Sequence, residues 1–554
     1  MEHTAAVRVR AMFGVSVVIG LSVSLCAGAS ISSATGGLDH SPGGVSPAAP
    51  PVVDAPLADE YWEGSVTLPT KDLLAFSVRF SGTLSARQGF LSIPIQGLVD
   101  GPLVEVSVGG RALRFTFDPR TAEQRSADQL RGAATPPSVA RFRFTVDEIG
   151  VGVGTLQQGG KMLEARVSRL DAGTLPSAML RPQTPKGPFE YTTREVTITG
   201  AVDNTTTPPT PAPTLAGTLV LPKVGSGSGG WSKPPYSAVV FITGSGPQDR
   251  DETIFGHKPF AVLADELAKR GVASLRLDDR GVGGSTSPKA GQETTLDFVA
   301  DITAAATWLS QQPEINRHRI GLIGHSEGGL IAPMVGAANA ELIRFVVMIA
   351  GPGVNGTEIL IEQVAAMSKA GGMSAERIEQ QRGVQRAALE SVVSGESAEQ
   401  VQAAVEALIL SQMGLKVRPV AKPDDAAGNG PAEQFDAALK GGIEQLQSPW
   451  MRQFLTLDPA LALRAVKCPV LVIAGSMDVQ VVSSQNVPAI AAALLAGGNN
   501  DFTVRVMPRL NHLLQPAMIG TVVEYASINT TMSPEAIEVI GAWVEDRARP
   551  KTSR

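Results

Sequence analysis

Three side chains far apart in the sequence have the types and the chain order needed for nucleophilic catalysis. The first is Ser326, in the stretch GHSEGG (residues 324–329) between an apolar run and a small-residue run. In G-x-S-x-G the serine occupies a tight strand-to-helix turn, and larger flanking side chains would collide with the neighbouring strand and helix. The turn lifts the hydroxyl above the carboxyl end of the strand, where open α/β sheets place their sites. We therefore predict Ser326 as a nucleophile, although such glycine turns also occur for packing alone.

A serine hydroxyl needs a base, and the base needs an orienting acid. In open α/β sheets whose nucleophile lies in a G-x-S-x-G turn, the catalytic residues follow one another along the chain in the order serine, acid, histidine. His512, in "MPRLNHLLQ", is the only histidine after Ser326, and it follows the last predicted strand. Asp478 comes directly after the strand "PVLVIAG", whereas Asp501 precedes its strand and would lie at the opposite end of the sheet. We therefore predict His512 as base and Asp478 as acid.

A tetrahedral intermediate also needs two donors for its negative oxygen, and backbone N–H groups commonly supply them. One is expected from Glu327, the residue after the nucleophile. The other is expected from the loop "GSGP" after the strand "AVVFITG". Pro247 has no N–H, so Ser245 is the predicted donor and Gly246 is the second choice. The alternative is that this loop is a glycine turn without a catalytic role. His325 is expected to point away from the reaction and to shape the turn.

Two charged runs follow strands at the same predicted edge of the sheet. They are "GSGPQDRDE" and "LDDRGVGGS". Arginine–carboxylate pairs can order such loops, so loop architecture is the first interpretation. A substrate-binding role for Arg250 or Arg280 is the alternative.

The elements around these residues alternate between apolar strands and amphipathic helices from about residue 190 onward. This pattern predicts a mostly parallel sheet covered on both faces. "EVTITGAV" and "LAGTLVLP" are expected to form a hairpin. Residues 353–465 contain helical stretches without a clear strand, so we predict a helical cap inserted into an α/β domain spanning 188–548.

Residues 57–172 have a different pattern, with short β-prone runs split by turns. Strict alternation such as RFRFTV (141–146) predicts half-buried strands. We expect a small antiparallel sheet or partial barrel. It contains no polar cluster suited to chemistry, so its predicted role is packing or substrate shaping.

The N-terminus has the features of an export signal. Arg8 and Arg10 precede an apolar run to Leu25, and small residues follow. We predict a signal peptide over 1–29 and a Pro/Gly/Ser-rich linker over 30–56, with a periplasmic or secreted product. A membrane anchor is the alternative, although the run is short for a bilayer span; a lipid anchor at Cys26 is a weaker one. After cleavage Cys468 would be the only cysteine, which excludes an intramolecular disulfide.

Composition narrows the classes of function. The 554 residues are 43% hydrophobic and 18% charged, with a net charge of −6 and no basic stripe. Nucleic acid is therefore not an expected partner. The sequence has no H-E-x-x-H motif and no Cys/His cluster, so neither a metal nor another cofactor is expected. Beyond the signal, no run approaches membrane-spanning length without charge.

Several runs together resemble the α/β-hydrolase superfamily, and more closely the bacterial carboxylesterases of the esterase D type and the broader serine-aminopeptidase-like hydrolases. The matching runs lie between about 240 and 516: "GSGPQDRDE", "GHKPF", "LDDRGVGGS", "IGLIGHSEGGLIAP", "AGPGV", "CPVLVIAGSMDVQV" and "LNHLLQ". The resemblance implies a Ser326/Asp478/His512 triad, a helical cap and an N-terminal β domain. This chain departs from the pattern in its proline-rich insert (205–214) and its long cap loop.

The expected activity is hydrolysis of a small-molecule carboxylic ester through an acyl-enzyme, with a short acyl group and no cofactor. Two alternatives stay open. One is an amidase or peptidase of the serine-aminopeptidase type, since the same triad cleaves both bonds. The other is a non-catalytic exported protein that holds a ligand, although a pure binder does not need all three side chains.

Overall fold

The computed structural model describes residues 58–550, with gaps at 69–72, 84–86, 94–97, 110, 121–138, 173, 175, 177–180, 203–208 and 421–430. At 73, 99, 100, 523 and 526 it describes the backbone alone. The predicted signal peptide and linker lie outside the described residues, as do parts of the proline-rich insert and of the cap loop. The chain divides into two compact units, and the division falls between residues 180 and 181.

The N-terminal unit is a closed antiparallel barrel of eight strands. The strands are β1 (Glu60–Thr67), β2 (Leu73–Gly82), β3 (Arg87–Ile93), β4 (Leu98–Gly109), β5 (Ala112–Phe117), β6 (Ala140–Val146), β7 (Val151–Gln158) and β8 (Lys161–Arg169). The sequence predicted an antiparallel sheet or partial barrel. The barrel closes because β1 pairs with both β2 and β8.

The barrel interior is an aromatic core. On β6, Phe142 and Phe144 are buried while Arg143 is exposed, as the alternation predicts. Phe142 stacks on Phe115 of β5 with ring centroids 4.7 Å apart, and Phe76 lies 5.1 Å from Phe142. Aromatic burial of this kind is the main stabilising contribution in a small barrel.

The second unit is built on an eight-stranded mixed sheet, ordered β16-β15-β14-β13-β11-β12-β10-β9. The strands are β9 (Thr192–Thr199), β10 (Thr214–Leu221), β11 (Tyr236–Ile242), β12 (Ala273–Leu277), β13 (Ile315–His325), β14 (Ile343–Ile349), β15 (Val470–Gly475) and β16 (Phe502–Met507). β9 and β10 form the predicted antiparallel hairpin, and β10 pairs antiparallel with β12. The strands from β12 to β16 run parallel, which brings their carboxyl ends to one edge.

Helices cover the sheet and continue into the cap. They are α1 (Pro259–Lys269), α2 (Thr295–Ser310), α3 (Glu327–Ala338), α4 (Gly356–Ala370), α5 (Ala375–Val393), α6 (Ala398–Met413), α7 (Pro431–Gln447), α8 (Pro449–Thr456), α9 (Pro459–Ala465), α10 (Ser483–Ala496) and α11 (Pro534–Ala548), with a 3₁₀ helix at Val522–Ser527. The segment from α4 to α9 corresponds to the predicted cap. Each face of the sheet has its own apolar core, and α4–α8 share a separate one.

No helix in the described part of the chain is both long enough and apolar enough to span a bilayer.

Candidate active site

Ser326 lies in a strained turn between β13 and α3. Its φ of 54° and ψ of −120° are unusual for a residue other than glycine, and such strain persists only where the surrounding structure enforces it. A Cβ on Gly324 would collide with the Gly328 backbone, and one on Gly328 would collide with the carbonyl of Ile242. Both glycines are therefore required by packing. The turn leaves Ser326 partly exposed at the carboxyl edge of the sheet.

Asp478 and His512 are joined by a hydrogen bond, with 2.8 Å between Asp478 Oδ2 and His512 Nδ1. The other carboxylate oxygen accepts from the backbone N–H groups of Gln480 and Val481, at 2.8 and 2.9 Å. Both side chains are buried. An Nδ1–H donated to Asp478 leaves Nε2 as the ring nitrogen that can take a proton.

Asp501, the alternative acid, lies elsewhere. It pairs with Arg547 at 3.0 Å and is more than half exposed. The structure therefore joins His512 to the acid chosen from the strand order.

The loops of Ser326 and His512 meet through His325. His325 Nε2 lies 3.1 Å from the His512 carbonyl oxygen, and the two imidazole rings are 4.7 Å apart. The hydrogen bonds of the described residues do not include one between Ser326 Oγ and the His512 ring. In enzymes without substrate this bond is often long and shortens on binding.

The segments that carry the two predicted oxyanion donors lie on either side of Ser326. Glu327 is the first residue of α3, where backbone N–H groups have no partner within the helix and the helix dipole favours negative charge. On the other side, a Cβ placed on Gly244 would lie 3.2 Å from the Ser326 Cβ, so this loop lies beside Ser326. The Gly244 N–H is occupied by Glu252 Oε1 at 2.7 Å. Ser245 is the next residue along the same loop.

The Glu327 side chain contacts the cap. Its Oε1 accepts from Thr295 Oγ1 at 2.6 Å and from Trp450 Nε1 of α8 at 2.9 Å. Burial raises the pKa of the Glu327 carboxyl, and the two hydrogen bonds only partly oppose this. Sequence reasoning missed Thr295 and Trp450, and no local motif identifies them.

Arg250 and Arg280 are both held by carboxylates. Arg250 makes a two-pronged contact with Asp278 at 2.8 and 3.0 Å, and it also pairs with Glu195. Arg280 is buried and makes two 2.7 Å bonds to Asp301. These pairs favour the loop-architecture interpretation over substrate binding.

A small space, open to solvent, adjoins Gly244 and the first turns of α3. Its walls combine apolar side chains, among them Ile242, Phe298, Ile302 and Ile331, with the carboxyls of Asp278, Asp279, Asp301 and Glu327 and the Arg280 guanidinium. Burial raises the pKa of Asp279 well above its ordinary value, and hydrogen bonds from Thr243 and Gln248 partly oppose this. Burial opposes ionisation of Asp278, but its bonds to Arg250 and the Gly284 N–H outweigh burial and lower its pKa, so the wall is partly apolar and partly charged.

His325, which was expected only to shape the turn, pairs with a buried carboxylate that was assigned no role from the sequence. His325 Nδ1 lies 2.8 Å from Glu252 Oε1, and both residues are buried. Glu252 lies in the charged run "DRDE", and His325 precedes Ser326 in the chain. Their pairing spans 73 residues of sequence, so only their nearness to predicted site loops could have suggested it.

Comparison with known proteins gives one family and one curated relative. Residues 258–417 match the family model Hydrolase_4, serine aminopeptidase S33. The chain is 32% identical over 161 residues to esterase EstD of Thermotoga maritima, an alignment covering 28% of this chain and 35% of that protein. The chain thus spans about a third of the relative's length. These matches confirm the resemblance inferred from the motifs.

Solved structures are more distant. The Pyrococcus furiosus esterase Pf2001 is 15% identical, with a TM-score of 0.35 and coverage of 67% of this chain and 98% of that one. Proline iminopeptidase of Mycobacterium smegmatis is 17% identical, with a TM-score of 0.35 and coverage of 64% and 99%. At TM-scores this low, the likeness supports no inference about function.

Proposed function

We propose that this protein is a serine hydrolase that cleaves short-acyl carboxylic esters through an acyl-enzyme intermediate. The observation that carries the proposal is the buried Asp478–His512 hydrogen bond at the same sheet edge as the strained Ser326 turn. A structural histidine does not need a carboxylate that two backbone N–H groups orient. A catalytic base does need one, because the orienting acid selects the tautomer.

The proposed reaction begins when Ser326 Oγ attacks the ester carbonyl carbon and His512 Nε2 takes the hydroxyl proton. The carbonyl electron pair moves to oxygen, and the backbone N–H groups of Ser245 and Glu327 stabilise that oxyanion. The intermediate collapses, the bond to the leaving oxygen breaks, and His512 protonates the departing alcohol. Water then attacks the acyl-enzyme while His512 takes one of its protons. Collapse releases the acid and returns the proton to Ser326. Asp478 stabilises the imidazolium in both halves.

A short acyl group is proposed because the space beside Gly244 and Glu327 is small and its apolar lining is interrupted by charged side chains. Apolar walls stabilise an alkyl chain in proportion to the area buried, so an acyl chain longer than the cavity gains nothing and must displace side chains. Turnover of aryl esters should therefore decline from butyrate to decanoate. Equal kcat/KM across the series would contradict the short-acyl preference.

An aminopeptidase is the second candidate, because the matching family model describes a serine aminopeptidase. The same three side chains cleave amides, and the difference lies in leaving-group protonation and pocket shape. Comparing an aryl butyrate with an aminoacyl anilide under the same conditions separates the two. Export to the periplasm or medium is a further proposal, based on the N-terminal sequence alone.

The decisive experiment compares wild type with Ser326→Ala on a small aryl ester. We expect a burst of released phenol and labelling by an organophosphonate in wild type, and neither in the variant. The variant should retain its circular dichroism spectrum. Full activity in folded Ser326→Ala would refute the assignment of Ser326 as the nucleophile. A wild-type serine that is inert to the phosphonate would favour the non-catalytic binder.

A further inference from the structure

Glu252 is a buried carboxylate with unusual local geometry. It is 1% exposed, and its φ of 52° lies in the left-handed region that residues other than glycine rarely adopt. Oε1 accepts both bonds that the carboxylate makes, from Gly244 N at 2.7 Å and from His325 Nδ1 at 2.8 Å. Oε2 is buried and has no partner among the described residues. Strain and an unsatisfied oxygen together are unusual for a group that serves packing alone.

The rest of the charged run has a different use. Asp249 accepts from the backbone of its own turn, and Asp251 pairs with Lys258 at 3.2 Å and with Arg276. Arg250 pairs with Asp278. Glu252 alone in this run contacts the elbow residue beside Ser326.

His325 has an acceptor at each ring nitrogen. Nδ1 faces the Glu252 carboxylate at 2.8 Å, and Nε2 faces the His512 carbonyl oxygen at 3.1 Å. With Glu252 ionised, neither acceptor can donate, so a ring that hydrogen-bonds to both must donate from both nitrogens, which only an imidazolium can do. The titratable groups that act on it are the Glu252 and Asp478 carboxylates and the adjacent His512 ring.

We propose that Glu252 and His325 are positioning residues, which hold the Ser245 loop and the His512 loop in register with Ser326. The inference deepens the proposed acyl transfer and rests on it. Glu252 accepts a hydrogen bond from the N–H of Gly244, the residue before the predicted oxyanion donor Ser245. His325 contacts the backbone carbonyl of His512, the proposed base. One buried ion pair thus connects the three loops that must meet at the reacting carbonyl.

The expected effect follows from how sensitive oxyanion donors are to position. Removing one donor costs roughly 10²–10³ in kcat, and displacing one costs less. Glu252→Gln and His325→Gln should each lower kcat on an aryl butyrate by about 10- to 100-fold while KM changes less than about threefold. Because the two residues act as a unit, the kcat of the double variant should be within about threefold of the kcat of the less active single variant.

Glu545→Gln is the matched control. Glu545 is also a buried carboxylate that accepts a backbone N–H at 2.7 Å, from Ser228, and its other partners are Trp231 and Arg270. None of these is a predicted site residue. The control should lose thermal stability to a similar extent as Glu252→Gln but keep kcat within about twofold.

The pH dependence of kcat distinguishes a positioning role from a purely structural one, because a loss of stability alone would not shift it. Burial lowers the pKa of His325, but the Glu252 charge, the hydrogen bond to Glu252 and the His512 carbonyl outweigh burial and raise it above its ordinary value. Wild-type kcat should therefore fall as pH rises through that raised pKa. The fall should move to lower pH in Glu252→Gln and disappear in His325→Gln. Nitrogen-15 shifts of the His325 ring at neutral pH should show both nitrogens protonated in wild type only.

The outcomes separate the two proposals. A wild-type protein that neither hydrolyses esters nor reacts with the phosphonate defeats the proposed function, and the positioning role with it. An active, phosphonate-reactive wild type whose Glu252→Gln and His325→Gln variants keep kcat within twofold defeats the positioning role alone. The positioning role is also defeated if Glu545→Gln loses as much kcat as the two site variants.

Discussion

The barrel and the carboxyl edge of the mixed sheet bury their side chains in opposite ways. The barrel interior is mostly apolar and aromatic, with Phe76, Phe115, Phe142 and Phe144 in mutual contact. The sheet edge buries ionisable groups next to one another, among them Glu252, Asp278, His325, Glu327, Asp478 and His512. Both are well-packed interiors of the same chain.

The difference lies in what each burial costs. Apolar burial is favourable by about 25 cal/mol per Å², whereas a buried charge is costly unless it is paired and hydrogen-bonded. Under the proposed function, the sheet edge keeps these costly buried charges because the reaction needs them. Among the described residues of the barrel unit, the buried ionisable group is Asp118, which pairs with Arg120 two residues away at 2.6 Å, so we expect the barrel to act as a scaffold. Substitutions in the barrel should therefore change stability alone, and substitutions at the sheet edge should change turnover.

The largest effect is expected at the acid. Asp478→Asn should lower kcat by about 10⁴, because an amide cannot hold the His512 tautomer with Nε2 free. The spectrum of the folded protein should be unchanged. Steady-state turnover of an aryl butyrate measures this. Asp501→Asn, at an exposed carboxylate paired with Arg547, is the control and should be silent. A loss under tenfold at residue 478 would place the orienting acid elsewhere.

The next effect belongs to the barrel and concerns stability alone. Phe142→Ala removes a fully buried ring and should cost about 3–5 kcal/mol of unfolding free energy. Urea unfolding followed by barrel fluorescence or amide exchange measures the loss. Turnover per folded molecule should remain within twofold. Val153→Ala, at a 60%-exposed barrel position, is the control and should change neither the free energy of unfolding nor kcat. A fall in kcat with Phe142→Ala would break the division between scaffold and site.

A third test uses a buried histidine whose electrostatic setting is the opposite of that of His325. His257 is bonded to Thr531 Oγ1 and to the Tyr525 carbonyl, each at 3.0 Å. Burial, with help from the Arg181 charge, lowers the pKa of His257 to about 4. The unfolded chain therefore binds a proton that the folded chain resists. The stabilising contribution, about 3 kcal/mol, is complete above about pH 6.5 and is lost as pH falls toward 4.

The measurement is the urea midpoint at pH 7.5 and at pH 4.5. Wild type should lose stability on acidification, and His257→Gln should lose markedly less of it because glutamine does not titrate. An identical pH dependence in both proteins would show that other groups govern acid unfolding.

The smallest effect is expected at the cap. Trp450→Phe keeps an aromatic ring over Phe454, which stacks on Trp450 at 5.0 Å, but deletes the donor to Glu327. Losing one partner of a buried acceptor costs about 1–3 kcal/mol, and kcat should fall only a few-fold. Thermal melting and turnover together measure this. A loss near that of Asp478→Asn would make Trp450 part of the reaction itself.

Local patterns were enough for much of the fold. Alternation in RFRFTV predicted which β6 residues face the core, and the hydrophobic runs predicted the parallel strands and the inserted helices. The strand and helix around GHSEGG, and the turn at Ser326, also follow from local sterics. Barrel closure did not follow, since pairing between β1 and β8 joins segments about a hundred residues apart, and no local pattern encodes it.

The order serine, acid, histidine and the placement of acids after strands were sufficient to select Asp478 over Asp501 as the partner of His512, because strand direction alone determines which edge a residue reaches. The contacts between loops depended on tertiary structure. Glu252 meets His325, and Trp450 meets Glu327, only because packing of the whole sheet and cap brings distant segments within 3 Å. Sequence specifies short-range geometry and residue chemistry; the pairing of buried charges depends on distances that only the folded core sets.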